Sequence, residues 1–256
     1  MKKHDIFLWI LFAILVLCRC AETIYDNGWL VLAFISCVIA VVLLVKNKLP
    51  SKKYIVISAV MAIAATVGYQ VDDNYGVIII ILLAGGLIAG IPTLLTSLAV
   101  FSVMEKTKAY SLLADKKWYS VLLSIVIGVV VGSLFSFVNT FVYTDMNHVW
   151  LSTWPAPAIY EVMAFRSVFM AYCVYFSHGE KMKGFSLFTM YFMMIVPHTV
   201  AYGYDLKVTV AVDVIFGLIL AVLHRKRDMA SAIISRGVVD VFMLIDMDIF
   251  MLIDRM

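Results

Sequence analysis

The sequence predicts an all-α fold, a polytopic transmembrane helix bundle of eight or nine spans, and three observations carry that expectation. Hydrophobic residues fill 64% of the 256 positions and charged residues only 14%, against roughly 25% charged in an ordinary soluble domain. Apolar runs recur along the chain, each near the ~20 residues that cross the hydrocarbon core as a helix, and they leave almost nothing for a soluble domain. The segments between the runs alternate in charge, as loops on two sides of a membrane do.

The first run, 6–21, follows Lys2 and Lys3. That start imitates a signal peptide, but "LCRCAE" lacks a small-x-small cleavage pattern and further spans follow, so the helix is expected to stay. The second and third runs, 28–46 and 54–71, flank the basic "KNKLPSKK". The fourth, 76–104, holds "GGLIAG" (Gly86 to Gly90), and the fifth, 118–144, holds "GVVVG" (Gly128 to Gly132). Such spacing lets helix backbones approach closely where no hydrophobic force drives packing, so both motifs read as packing devices. The remaining runs are 155–177, 184–203, 206–224 and 229–245. Arg236 and Asp240 interrupt the ninth, which makes a re-entrant segment the alternative there. Residues 246–256 read as a short interfacial tail.

Fifteen of the twenty Lys and Arg residues fall in Lys2, Lys3, "KNKLPSKK", "EKTKAYSLLADKK", "EKMKG" and "HRKRD", whereas the intervening loops hold only Arg19 and Lys207. The positive-inside rule then puts the N-terminus and the loops 47–53, 105–117 and 178–183 in the cytoplasm. The net charge of +3 thus belongs to membrane topology, and no nucleic-acid partner is implied. Cys18, Cys20, Cys37 and Cys173 lack CxxC or CxxH spacing, so neither a disulfide framework nor a zinc site is expected.

Ionisable residues deep in a membrane cost about 2.5–3.5 kcal/mol each on insertion scales, so their positions mark function. The first five spans carry essentially none, while the later ones carry Glu161, Arg166, His198, Asp213, Arg236 and Asp240. Residues 1–145 therefore read as a five-helix scaffold and 146–245 as the site region. Counted from the helix ends at ~1.5 Å per residue, Glu161, His198 and Asp240 share one depth and are expected to line one cavity, with Arg166 and Arg236 paired to carboxylates. Asp213 is a further charge partner. Five residues turn an α-helix by about 140°, so Glu161 and Arg166 are expected on different faces. His224 and Asp228 also spell HxxxD, but within the basic "HRKRD" they read as a helix end snorkelling to water. His148 and His178 fall in loops, and Trp150 and Trp154 suit an interfacial aromatic belt.

"PAPAIYEVMAFRS" resembles the EExxxR signature of the CPBP family, the CAAX prenyl endopeptidases and bacteriocin-processing proteins also called Abi. "MIVPHTVAY" is similar to its FxxxH motif, with Met194 at the Phe position. "SRGVVD" stands where the family has His followed four residues later by Asn or Asp, with Arg236 at the His position and Asp240 at the other. Val162 replaces the second Glu of the first motif. The resemblance, over residues 155–245, implies an intramembrane endopeptidase in which Glu161 and His198 hold and activate a water while Arg236 and Asp240 polarise the scissile carbonyl. It implies a membrane-associated peptide or protein substrate, a lipid bilayer around the chain and no cofactor. Zinc would want three or four His, Cys or carboxylate ligands, and no metal is expected. The expected location is a prokaryotic plasma membrane. Two other classes stay open: a degenerate member acting as a membrane binding or immunity protein, and a small transporter relaying protons.

Overall fold

The structure is a computed structural model that describes residues 2–20, 28–71, 86–113, 117–142, 155–179, 182–202 and 217–253. All regular structure among these residues is helical. In order come α1 (Lys3–Cys20), α2 (Gly28–Lys46), α3 (Lys52–Val71), a π turn (Gly86–Gly90) leading into α4 (Ile91–Thr107), and α5 (Lys117–Val142). Then follow α6 (Pro155–Tyr160), a π segment (Glu161–Ser167) and α7 (Val168–Phe176), stacked as one rod over 155–176. The last are α8 (Gly184–Tyr202), α9 (Leu218–Lys226) and α10 (Met229–Ile253). These helical rods fall on the expected apolar runs in order, with residues 76–85 of the fourth run and 206–216 of the eighth outside the described residues. Asp213, His148, Trp150 and Trp154, to which the sequence assigns roles, lie outside the described residues.

Among the described residues, four helices are long and apolar enough to cross a membrane: Gly28–Lys46, Ile88–Thr107, Ala158–Phe176 and Gly184–Ala201. Their surroundings suit lipid, since Phe34, Val45, Val60 and Leu122 point outward while Glu161, Arg166, His198 and Asp240 are buried. A soluble domain arranges these classes the other way round. The Ala158–Phe176 span is 83% buried, against 44% for Gly28–Lys46, so the rod at 155–176 runs through the middle of the bundle. Its Met163, Phe165, Phe169 and Met170 are enclosed by α2, α4 and α8.

Small residues set the closest helix approaches, as the glycine spacing implies. A Cβ on Gly128 would stand 2.7 Å from Val238 Cβ and 2.9 Å from the Ser235 carbonyl oxygen, so α5 lies hard against α10. A Cβ on Gly90 would collide with Thr66 Oγ1, and one on Gly28 with the Ala201 carbonyl. On α4, Pro92 follows directly on the π turn, and Lys108 ends the helix in a left-handed conformation.

The ninth run keeps its leading reading as a helix, and only its end changes. Helix α10 runs unbroken through Arg236 and Asp240, because those charges are i, i+4 neighbours and pair within the helix. It also continues to Ile253, past the expected end at 245 and into the stretch read as a tail; no Gly or Pro interrupts "MLIDMDIFMLI".

The basic connections gather at one end of the bundle. Ser51 donates its N–H to Glu105 (2.8 Å), Lys106 donates to Asn47 (3.0 Å), and Arg225 donates to the Ala109 carbonyl (3.3 Å). The loop after α4 also supplies the Ser111 and Leu112 carbonyls to the Met229 and Ala230 N–H groups at the start of α10. Those donors have no partner within their own helix.

Candidate functional site

Four ionisable side chains from three helices meet inside the bundle. Glu161 opens the π segment, His198 lies near the end of α8, and Arg236 and Asp240 are one turn apart on α10. Nε2 of His198 is 3.4 Å from Glu161 Oε1, and Nε of Arg236 is 2.9 Å from Glu161 Oε2. Arg236 also reaches Asp240, with Nη2 3.1 Å from Oδ1. The guanidinium therefore bridges two carboxylates, and Glu161 is held between a cation on one oxygen and an imidazole on the other. Glu161, His198 and Asp240 are 4%, 7% and 3% exposed. Charges so far from water are tolerated where they are paired.

Each element aims its residue for a local reason. Pro197, immediately before His198, takes one donor out of the α8 ladder and loosens that helix beside the imidazole. The ring is steadied by Phe165, at 5.8 Å between centroids, and Phe165 packs edge-on against Tyr160 at 4.8 Å. Gly128 of α5 lets α10 come close, and Ser235, next to Arg236, donates to the Ser124 carbonyl at 2.7 Å. The scaffold half thus fixes the register of Arg236 and Asp240.

The backbone between Glu161 and Arg166 is wound differently from the expectation. That expectation assumed α-helical turns, whereas residues 161–167 form i→i+5 hydrogen bonds, closed by the Val168 N–H on the Met163 carbonyl. In that geometry residues five apart stack as residues four apart do in an α-helix. Arg166 contributes positive charge to the surroundings of both Glu161 and Asp240. It also donates to the Gly217 carbonyl at 3.5 Å, just before α9. Two guanidinium groups and two carboxylates then balance formally. The further charge partner named from the sequence, Asp213, is outside the described residues.

His224 and Asp228 are also corrected. Neither snorkels: His224 is 1% exposed and Asp228 is fully buried. Asp228 caps α10 by accepting the Ser231 N–H (2.6 Å) and takes the Ser120 hydroxyl on its other oxygen (2.6 Å), with Ser120 and Ser231 hydroxyls 2.8 Å apart. His224 Nε2 faces the Ser167 hydroxyl at 3.3 Å, and that hydroxyl donates to the Val162 carbonyl at 2.8 Å. The C-terminal end of the π segment is therefore fastened to the α9 region at two points, by Arg166 to the Gly217 carbonyl and by Ser167 to His224. An Asp followed three residues later by Ser at a helix start was the available signal for the cap. For Ser120 and Ser167 there was none, since single serines are common in packed membrane helices.

Among the described residues no group of three His, Cys, Asp or Glu side chains converges as metal ligands. Chemically, the site sets a carboxylate in direct contact with an imidazole, next to fixed positive charge. Comparison of the chain with protein-family models, with curated proteins and with solved structures found no match.

Proposed function

We propose that the chain is an integral membrane endopeptidase of the CPBP type, in which Glu161 and His198 activate one water to hydrolyse a peptide bond of a membrane-associated peptide or protein. The observation that carries this reading is the 3.4 Å approach of Glu161 Oε1 and His198 Nε2 inside the bundle, from positions 37 residues apart in sequence. A water oxygen ~2.8 Å from each atom completes a compact triangle. As its oxygen bonds to the scissile carbonyl carbon, its proton passes to the carboxylate. Collapse of the tetrahedral intermediate breaks the C–N bond, and the amine leaves with that proton, with His198 positioned to share the transfer. The Arg236 guanidinium, locked by two carboxylates, sets positive charge beside the position of the developing oxyanion without reorganising during the reaction. In this reading the nine rods among the described residues belong to eight or nine crossings with the N-terminus in the cytoplasm, in a prokaryotic plasma membrane.

A second reading has its own observation. Arg236 already satisfies both Glu161 and Asp240, as a finished clamp would, and this suits a binding or immunity protein that keeps the fold without turnover. One experiment separates the two. Membranes from cells making the wild-type chain or Glu161→Gln are compared for new protein N-termini by mass spectrometry. Hydrolysis yields N-termini present only with the wild type and absent with His198→Ala as well. Identical sets of N-termini, with the cellular phenotype of Glu161→Gln intact, select the binding protein.

A further inference from the structure

Away from the site, an apolar groove of about 420 Å³ lies between α5 and α9. Ile127 forms one wall, and Leu218, Ile219, Val222 and Leu223 form the other. Along α9 it extends about 12 Å, from Leu218 to Lys226, at ~1.5 Å per residue. Leu218 and Ile219 are partly exposed at its mouth, on the outer surface where the bundle meets lipid.

The groove changes character at one end, where Lys226 and Arg227 close it. Their neighbour Arg225 is turned away to the Ala109 carbonyl, so of three consecutive cations one ties down a loop and two border the groove. Arg227 is held in place, its guanidinium stacked 5.0 Å from the centre of the Tyr119 ring. Tyr119 and the adjoining Trp118 are largely exposed, as aromatic residues at a membrane–water boundary are. An apolar trough entering the hydrocarbon from a boundary marked by two aromatics and two cations matches one ligand class in shape and charge.

We infer that this groove seats an acyl chain of an anionic phospholipid, whose headgroup phosphate rests on Lys226 and Arg227. The inner wall of the same helix fastens to the π segment through Gly217 and His224, so a seated lipid would brace α9 from outside. This inference needs the membrane location but not hydrolysis.

Native mass spectrometry of the full chain, released from micelles doped with equal phosphatidylglycerol and phosphatidylcholine, tests it. The wild type should retain phosphatidylglycerol preferentially. Lys226→Gln should lower that preference about fivefold, the equivalent of ~1 kcal/mol for one basic residue near anionic lipid. Ile219→Trp, which fills the trough from a lipid-facing position, should abolish retention of either lipid. Equal retention of the two lipids by the wild type overturns the inference, as does a preference unchanged in Lys226→Gln, whatever the folding of the tryptophan variant. An equal stabilising shift with inorganic phosphate alone overturns the acyl-chain component. A dimer that Ile219→Trp dissociates, without lipid selectivity, assigns the face to a second copy instead.

Discussion

Replacing Arg236 by methionine removes one guanidinium from two carboxylates, at 2.9 Å from Glu161 and 3.1 Å from Asp240. At an effective dielectric near 20, charges this close attract by about 5 kcal/mol per pair before desolvation is counted. The net cost of removing one partner from a buried pair is lower, about 3–5 kcal/mol, and arises mainly from the charge left without compensation. The Arg236 side chain is 14% exposed, so solvent relieves little of it. Arg236→Met is therefore expected to lose about 3–5 kcal/mol in unfolding by sodium dodecyl sulfate from dodecylmaltoside micelles, followed by circular dichroism. Adding Glu161→Gln and Asp240→Asn to that variant removes the stranded charges and should recover more than half of the loss. Arg236→Lys keeps the charge, but a point ammonium cannot bridge both carboxylates, and it should fall between wild type and Arg236→Met. An Arg236→Met protein within ~1 kcal/mol of wild type, or a neutralised triple variant no more stable than Arg236→Met, would refute the bridge.

Gly128→Leu, forced against Val238 and the Ser235 carbonyl, should cost about 1–3 kcal/mol by overpacking; because α10 carries Arg236, any cleavage activity should fall with it. Asp228→Ala loses a helix cap and the buried bond from Ser120, an expected loss of about 2–3 kcal/mol in the same unfolding assay, whereas a change within ~0.5 kcal/mol would return Asp228 to a hydrated surface. Ser51→Cys keeps the backbone N–H that Glu105 accepts and should react with a membrane-impermeant maleimide only from the cytoplasmic side; labelling solely from outside reverses the orientation. Among the native thiols, exposed Cys20 should react in micelles and buried Cys173 only after unfolding.

The meeting of Glu161, His198, Arg236 and Asp240 was legible in the sequence because charge is scarce and costly in apolar helices. Three of them, Glu161, His198 and Asp240, at matching depths had few ways to be buried except together, and Arg236 lies one turn from Asp240. Packing at Gly128 was legible for a similar reason, since a glycine pair in an apolar helix has little other use. The turn geometry at 161–167 was not, because i→i+5 bonding arises from how neighbouring helices hold the rod and leaves no periodicity of its own in seven residues. His224 and Asp228 were misassigned because their neighbours in sequence are Arg225, Lys226 and Arg227. Their neighbours in space are Ser167, Ser120 and Ser231, which come from other helices. Local charge suggested water where the fold supplies hydroxyls.

The π segment has a consequence for how the chain tolerates insertion and deletion. A wide turn of this kind amounts to one surplus residue lodged in an otherwise α-helical rod. Deleting a single residue between 162 and 165 would let the rod relax to regular α geometry with its N-terminal side still in phase with α7, because four residues of an α-helix turn about as far as five residues of a π turn. Glu161 would stay beside Arg236 and His198, and Arg166 would become its i, i+4 neighbour. A deletion within α7 has no such slack, and everything on its N-terminal side, Glu161 included, would rotate by about 100° away from the facing helices. The segment works as slack, one residue deep, that keeps two halves of a helix in phase, so the first deletion should spare the site and the second should silence it.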